Sequence, residues 1–419
     1  MNILMISSTF PYPPSRGGTE IRTFNLLKYL HQRHHVTLLT QRHSIVTEAD
    51  IAALRGWTSE LIIFPLPPEP KPGLGGKLWR FLESTLKGTP PNVLYRYSPQ
   101  LQAWIDAWVE AGEGDAITCE HSVNEIYLRP QWRSKIPAIA NIHSSVYGWM
   151  QHQLAAGASS HPWRDRLYLP LLYYYEQRFC QKFSAIAVTT EEDQLHFLQY
   201  RPQIPVLVVT NGVDLELFPY RPQDPKGRQL IFVGAMDASH NIDAARFFAL
   251  EVLPLLQQRY PDATFTIVGA RPTPAVQALS TRLGVTVTGA VESVAAYLHA
   301  ADVAVVPLRT GYGIKNKTLE AMAAGLPVVG SDRGLEGILV DGPEVPLRAL
   351  RANDPEAYIE SIHRLFTDPS LRSRLSQAGR SLVEAEYTWE NAGKLYEQAL
   401  FAVINPQDGR EIRQTRQPL

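Results

Sequence analysis

Residues 311–320 read Gly-Tyr-Gly-Ile-Lys-Asn-Lys-Thr-Leu-Glu. Gly311 and Gly313 let backbone N–H groups approach an anion, because a residue without a Cβ reaches conformations closed to others. The helix predicted to begin near Lys315 adds the positive end of its dipole at the same place. Lys315 and Lys317 stand there as counter-charges to a diphosphate. Glu320, about one and a half helical turns in, offers two oxygens to a pair of ribose hydroxyls. The chemistry of such a segment is recognition of a nucleoside diphosphate. In the N-terminal half, Gly17 and Gly18 form a second glycine pair suited to backbone approach, and His143 closes the apolar run 140–142 at a strand end. Each has a plainer alternative. Glycines serve any strand-to-helix turn, lysines at a helix start can be merely solvated, and a strand-end histidine can be merely hydrogen-bonded. Tyr312 suits packing or stacking on a sugar better than acid–base work.

The elements that would position these residues repeat one pattern. Residues 2–7 are a short apolar run, followed by a loop rich in Pro and Gly over 10–18. A stretch with helical spacing of Ile21, Phe24, Leu26, Leu27 and Leu30 follows over 20–32, and a second apolar run covers 36–40. Strand, glycine loop, helix, strand is the βαβ unit of a parallel sheet. Further buried strands are predicted at 61–66, 138–142 and 185–189, since a continuous apolar run is what a strand covered on both faces requires. The pattern restarts with strands at 206–210, 230–233, 264–268, 285–288, 303–307 and 327–330. The polar, proline-containing stretch 220–227 reads as a linker. The predicted helix after Lys315 ends at Gly325, a suitable C-cap. The fold class expected is α/β, with two doubly wound, Rossmann-like parallel-sheet domains facing each other across a crevice at the carboxyl ends of their strands.

Composition narrows the function. The chain has 419 residues, enough for two cores, with 45% hydrophobic and 19% charged residues. A formal net charge of -1 provides no general field to recruit nucleic acid, so anion handling must be local. Cys119 and Cys180 make neither a disulfide framework nor a metal site, which fits a reducing cytoplasm. No leader-like segment opens the sequence, and no apolar run approaches the roughly 20 residues that span a bilayer. Contact with a membrane surface stays open on two stretches. Residues 77–87 mix basic and aromatic side chains at helical spacing, as interfacial helices do. Trp149, Trp163, Tyr168 and Tyr173 to Tyr175 lie near Arg164 and Arg166, an arrangement that also suits a core or an acceptor pocket.

The segment 319–329, Leu-Glu-Ala-Met-Ala-Ala-Gly-Leu-Pro-Val-Val, resembles the signature E-x7-E-A-M-A-x-G-x-P-V-V of retaining glycosyltransferase family 4, which has the GT-B architecture. The resemblance continues through the glycine loop 10–20, the Asn211-Gly212-Val213-Asp214 turn, the run 289–307 and the region of Trp389. It implies transfer of a sugar from a nucleotide-diphosphate donor to an acceptor hydroxyl of a glycan or lipid, with retention at the anomeric carbon. No metal-ligand cluster is visible in the motifs, so positive charge and helix dipoles are expected to stabilise the departing diphosphate, with no metal or other cofactor. The resemblance implies residues 1–215 as the acceptor-binding domain, 216–385 as the donor-binding domain, a helix over 386–404 returning to the first, and a tail over 406–419. It assigns the donor to Gly17, Gly18, Gly234, His240, Gly311, Tyr312, Gly313, Ile314, Lys315, Asn316, Lys317, Thr318 and Glu320, and contact with the sugar near the attacked carbon to His143. Two departures stand out. The family's first glutamate is Tyr312 here, although a branch with G-x-G-I-x-N-K-x-L-E shares this form. The Arg and Lys that many relatives place after the glycine at 234 are Ala235 and His240, which leaves the diphosphate to Lys315, Lys317, backbone amides and Arg309. A cytoplasmic enzyme, in contact with the inner face of a membrane if the basic aromatic stretches serve that purpose, is the expected setting. An epimerase or phosphorylase of the same fold, or a non-catalytic nucleotide-sugar binder, remains as an alternative.

Overall fold

The computed structural model describes residues 1–68, 82–155, 157, 159, 161–200, 202–311 and 313–405. Tyr312, the basic aromatic run up to residue 81 and the tail 406–419 lie outside the described residues. The chain divides into two compact units, one formed by Met1–Thr210 with the chain from Ala392 onward, the other by Asn211–Asn391.

In the first unit, strands β1 (Asn2–Ser7), β2 (His35–Arg42), β3 (Glu60–Pro65), β4 (Ala116–Glu120), β5 (Ala138–Asn141), β6 (Ala185–Val188) and β7 (Val206–Val208) make one parallel sheet in the order β3-β2-β1-β4-β5-β6-β7. β4 is absent from the pattern of apolar runs because it reads Ala-Ile-Thr-Cys-Glu. All five residues are nonetheless buried, the glutamate included. The helix Trp389–Ile404 reaches this unit with its later turns. Gly393 permits the approach, since a Cβ there would lie 2.1 Å from the Tyr29 ring. His34 and the Tyr29 hydroxyl then bond Glu397 at 2.6 and 3.2 Å.

In the second unit, β8 (Gln229–Val233), β9 (Thr264–Val268), β10 (Val285–Gly289), β11 (Val303–Val306), β12 (Val328–Gly330) and β13 (Leu350–Arg351) form a parallel sheet in the order β10-β9-β8-β11-β12-β13. β13 is only two residues long, too short for a periodic signal. The stretch 220–227 is not a free linker. Arg221 is buried and bonds the Ala301 carbonyl and Asp224, while the Tyr220 hydroxyl meets Ser376 at 2.8 Å, so the segment is stapled onto the second unit.

Both sheets reverse their winding once, between β1 and β4 and between β8 and β11. In open α/β sheets the carboxyl ends of the strands at such a reversal leave room for a ligand. The loop after β1 ends at Gly17, with Gly18 opening the helix that follows, and the loop after β11 runs from Gly311 to Lys315.

Candidate active site

In the second unit, β8 delivers Gly234 and β11 delivers the segment from Leu308 to the helix Asn316–Ala323. The two loops meet at Lys317. A Cβ on Gly234 would lie 2.8 Å from the Lys317 ammonium and 2.7 Å from the Asn241 amide, so glycine is what lets the lysine reach the end of β8. Asn241 fixes the ammonium through its Oδ1, and its amide nitrogen donates to the Ala235 carbonyl at 2.9 Å. The Lys317 ammonium also sits 4.5 Å from the centre of the Phe232 ring. Burial, with the nearby charge of Lys315, pushes the amine down to about 7. Glu320 stands one turn further along the helix, half-buried, and no other described residue gives its carboxylate a hydrogen bond or ion pair. Burial raises it to about 7, opposed by Lys317. The helix start at Lys315 carries no side-chain cap. A half-buried carboxylate, an ammonium beside it and an uncapped helix start thus share one corner of the sheet.

The remaining residues expected here divide by role. Gly311 and Gly313 take φ of 112° and 78°, in the region that favours glycine. Lys315 is buried, its ammonium bonded to the Gly313 carbonyl and 3.1 Å from Glu336. Ile314 belongs to the hydrophobic core, and the buried Thr318 hydroxyl donates to the Gly334 carbonyl at 2.7 Å. Asn316 accepts from Asn211 at 2.9 Å. The side chains of Ile314, Thr318 and Asn316 therefore make contacts within the fold. His240 lies near Gly311 and is pushed down to about 4 by burial and then by Lys317 and Lys315, so it is a neutral imidazole at pH 7. Arg309, suggested as a further cation for the diphosphate, instead clasps Asp243 through two nitrogens over the Phe247 ring.

In the first unit, His143 follows β5 and is half-buried, with its Nε2 shielded from solvent and without a hydrogen-bond partner. Burial, then His121 and Arg22, hold it well below 6.5. His121 follows the neighbouring β4 and was not anticipated. Its backbone N–H donates to the Asn141 carbonyl at 2.8 Å, and its ring meets that of His143 edge-on at 5.2 Å. It takes φ 82°, costly for a residue with a Cβ, and burial lowers it to about 4. Beneath them the fully buried Arg22 donates to Asn141 at 2.8 and 3.0 Å, Asn141 donates to Glu120, and Tyr396 donates to the other oxygen of Glu120 at 2.8 Å. Gly17 is extended and precedes the helix Gly18–His31, with the Glu20 carboxylate against it. Nothing lies within 4 Å of where a Cβ of Gly18 would be.

Glu336, Asn241 and His121 carried no sequence signal of their own. Recognising β4 would have placed His121 beside His143. Among the described residues, no group of three or more His, Cys, Asp or Glu is placed to hold a metal ion. No helix among them is long and apolar enough to cross a membrane.

Comparison with known proteins identifies the family and the fold. Residues 16–217 match the model of Glycosyltransferase Family 4, and residues 227–368 match that of Glycosyl transferases group 1. The D-inositol 3-phosphate glycosyltransferase of Frankia alni is 30% identical over 241 residues, 51% of this chain and 58% of that protein. The matched stretches span only 26% and 58% of the length of the first two curated relatives. Sucrose-phosphate synthase of Thermosynechococcus elongatus superposes with a TM-score of 0.67 at 20% identity, covering 96% of this chain and 99% of that one. Anabaena HepE, solved with UDP-glucose, gives 0.63 at 16% identity, covering 96% and 100%. These structural likenesses show the fold, GT-B. The two family models between them account for both units, and the chain belongs to the group 1, family 4 glycosyltransferases.

Proposed function

We propose that this protein transfers a sugar from a nucleoside-diphosphate donor to a hydroxyl of a glycan or lipid acceptor, with the nucleotide held by the second unit. The observation that carries the proposal is the corner where Lys317 and Glu320 meet the uncapped start of the helix Asn316–Ala323. Two ribose hydroxyls suit the two oxygens of Glu320, and the diphosphate suits Lys317 with the first-turn N–H groups. A fixed cation and a helix start also stabilise charge on a departing diphosphate, which supports a metal-independent reaction. Retention rests on the family. His143, a neutral imidazole with an unpartnered buried nitrogen, is the proposed contact to the transferred sugar.

The test is thermal unfolding with UDP, GDP, UDP-glucose and GDP-mannose, followed by nucleotide release and proton NMR of the product. Ligand that binds only the native state raises the midpoint by mass action. The expected result is a shift with one nucleotide series and an axial anomeric linkage from an axial donor. No shift with any of the four at millimolar concentration refutes the proposal. A free epimer or a sugar phosphate as product selects the enzyme alternatives, and binding without turnover selects the non-catalytic one.

A second reading, contact with an anionic membrane face in the cytoplasm, is favoured by one stripe of the helix Pro162–Cys180. Trp163, Leu167 and Tyr174 lie at i, i+4 and i+11 and are 79%, 76% and 66% exposed, and Arg166 stacks near Trp163. Replacing Trp163 and Leu167 with Ser should abolish sedimentation with phosphatidylglycerol vesicles. Unchanged sedimentation rejects the contact.

A further inference from the structure

Lys315 and Lys317 are two residues apart, yet their surroundings differ. The Lys317 ammonium stands at the end of β8 beside Asn241. The Lys315 ammonium is turned into the loop, where it bonds the Gly313 carbonyl and the carboxylate of Glu336. Glu336 has a nearly inaccessible side chain, at 3% exposure, and its other oxygen accepts the Gly313 N–H at 3.1 Å. The same residue, Gly313, is thus held at its N–H by Glu336 and at its carbonyl by Lys315, and the two holders are paired with each other. Arg333 closes on Glu336 at 3.2 Å. Fixing both polar groups of a residue at φ 78° fixes the direction in which the chain enters the helix Asn316–Ala323.

Glu336 itself comes from a rigid place. It belongs to the turn after β12, where the Ser331 hydroxyl donates to the Leu308 carbonyl at the end of β11 and accepts the Gly334 N–H at 3.0 Å. The Thr318 hydroxyl bolts the same turn to the helix through the Gly334 carbonyl. The turn is therefore anchored on both sides of the loop it grips.

We propose that Glu336 is the positioning residue of the donor loop: it neutralises Lys315 internally, clamps Gly313, and so leaves Lys317 as the cation presented to the diphosphate. This rests on the assignment of the second unit as the nucleotide site. Electrostatics without a clamp requires the opposite behaviour. Glu336 is a negative charge close to a phosphate site, and removing it would release the Lys315 ammonium, so nucleotide binding would tighten. With the clamp, removal lets the loop leave its fixed conformation, and binding weakens although the site becomes more positive.

The experiment measures calorimetric affinity of the full chain for UDP and for GDP, using whichever the wild type binds more tightly. The variants are Glu336→Gln, Lys315→Met, the two combined, Lys317→Met, and Lys317→Met combined with Glu336→Gln. Glu336→Gln should weaken binding about tenfold or more, the scale of losing hydrogen bonds to a charged group. Lys315→Met should behave alike, and the pair should be no worse than the worse single variant, because one clamp is lost only once. Lys317→Met combined with Glu336→Gln should instead be additive. The double variant Lys315→Met with Glu336→Gln removes both charges of the clamp together, so Lys315 is not left as a buried cation without its carboxylate, and it keeps the test available if a single variant fails to fold. Wild-type affinity in that double variant, or affinity equal to or tighter than wild type in folded Glu336→Gln, overturns the proposal. If the wild type binds neither nucleotide, the nucleotide site itself is what has failed.

Discussion

Glu320 is a carboxylate kept partly from water with no hydrogen-bond donor from the described residues, so it should cost stability and contribute affinity. The perturbation is Glu320→Gln, which preserves shape and removes charge. Burial moves the carboxyl from 4.5 to about 7. The sign follows from which state holds the proton. Well below pH 4.5 the group is protonated folded and unfolded, and it carries no penalty. As pH rises the unfolded chain ionises first, and stability falls until the folded group also ionises near 7. Above that the penalty is complete. At about 1.4 kcal/mol per pH unit the ceiling is roughly 3 kcal/mol, with the attraction to Lys317 already included, and it is lowered by the water the half-buried group keeps. The glutamine variant should therefore be about 1–2 kcal/mol more stable than wild type at pH 8 and indistinguishable from it well below pH 4.5, by urea unfolding without ligand. The same variant should bind UDP or GDP about tenfold to a hundredfold more weakly, since hydrogen bonds from ribose hydroxyls to a charged acceptor are worth roughly 1.5–3 kcal/mol. A variant that is less stable at pH 8, or folded with unchanged nucleotide affinity, refutes the reasoning.

Lys317→Met should reduce affinity for UDP at least about tenfold while leaving uridine binding nearly unchanged, because the proposed site sets the ammonium against the diphosphate alone; equal losses for both ligands in calorimetry would mean general damage. His143→Ala should lower kcat by ~10²-fold with a modest change in donor affinity, and His143→Gln should recover part of the loss if hydrogen bonding is its role. Because His143 is held well below 6.5, kcat should show no histidine step between pH 6 and 8, and a step that disappears in the alanine variant would overturn its neutral state.

What could be read from the sequence follows from how far apart the partners lie. β11 is legible because Val303–Val306 is an unbroken apolar run, and the strands called from such runs differ from the observed ones by a residue or two at their ends. β4 escapes because its polar residues are buried by pairing with groups that no local pattern shows: Glu120 with Asn141 and Tyr396, the latter 276 residues away. The glycine loop is legible because glycine advertises its backbone. The partners that decide what each charge does are not. Arg309 reads as a spare cation beside the loop, yet Asp243, 66 residues earlier, occupies it. Lys315 and Lys317 read as equivalents, and only Glu336 and Asn241, 21 and 76 residues away, separate them.

Both units use the carboxyl ends of central strands to hold ionisable groups in unfavourable states. In the second unit an amine and a carboxyl are each driven toward neutrality, at about 7. In the first, two imidazoles are kept uncharged, one on a strained backbone. Such arrangements cost free energy in the empty protein and persist only where the surroundings fix them. The surroundings here are buried polar networks that reach the site without facing it. Arg22, Asn141, Glu120 and Tyr396 bind the first helix, two strands and the last helix of the first unit under His143. Ser331, Thr318 and Glu336 do the same for the loop after β11. Each network has a cost of its own, visible where burial pushes Arg22 down to about 10 and raises Glu120. An apolar replacement of the same volume could leave the fold as stable. What it could not do is fix direction: a guanidinium held by an amide oxygen and a backbone carbonyl, and a carboxylate gripping one peptide, set orientation, whereas packing sets only proximity. The polar networks are therefore better understood as devices that aim the site than as sources of stability.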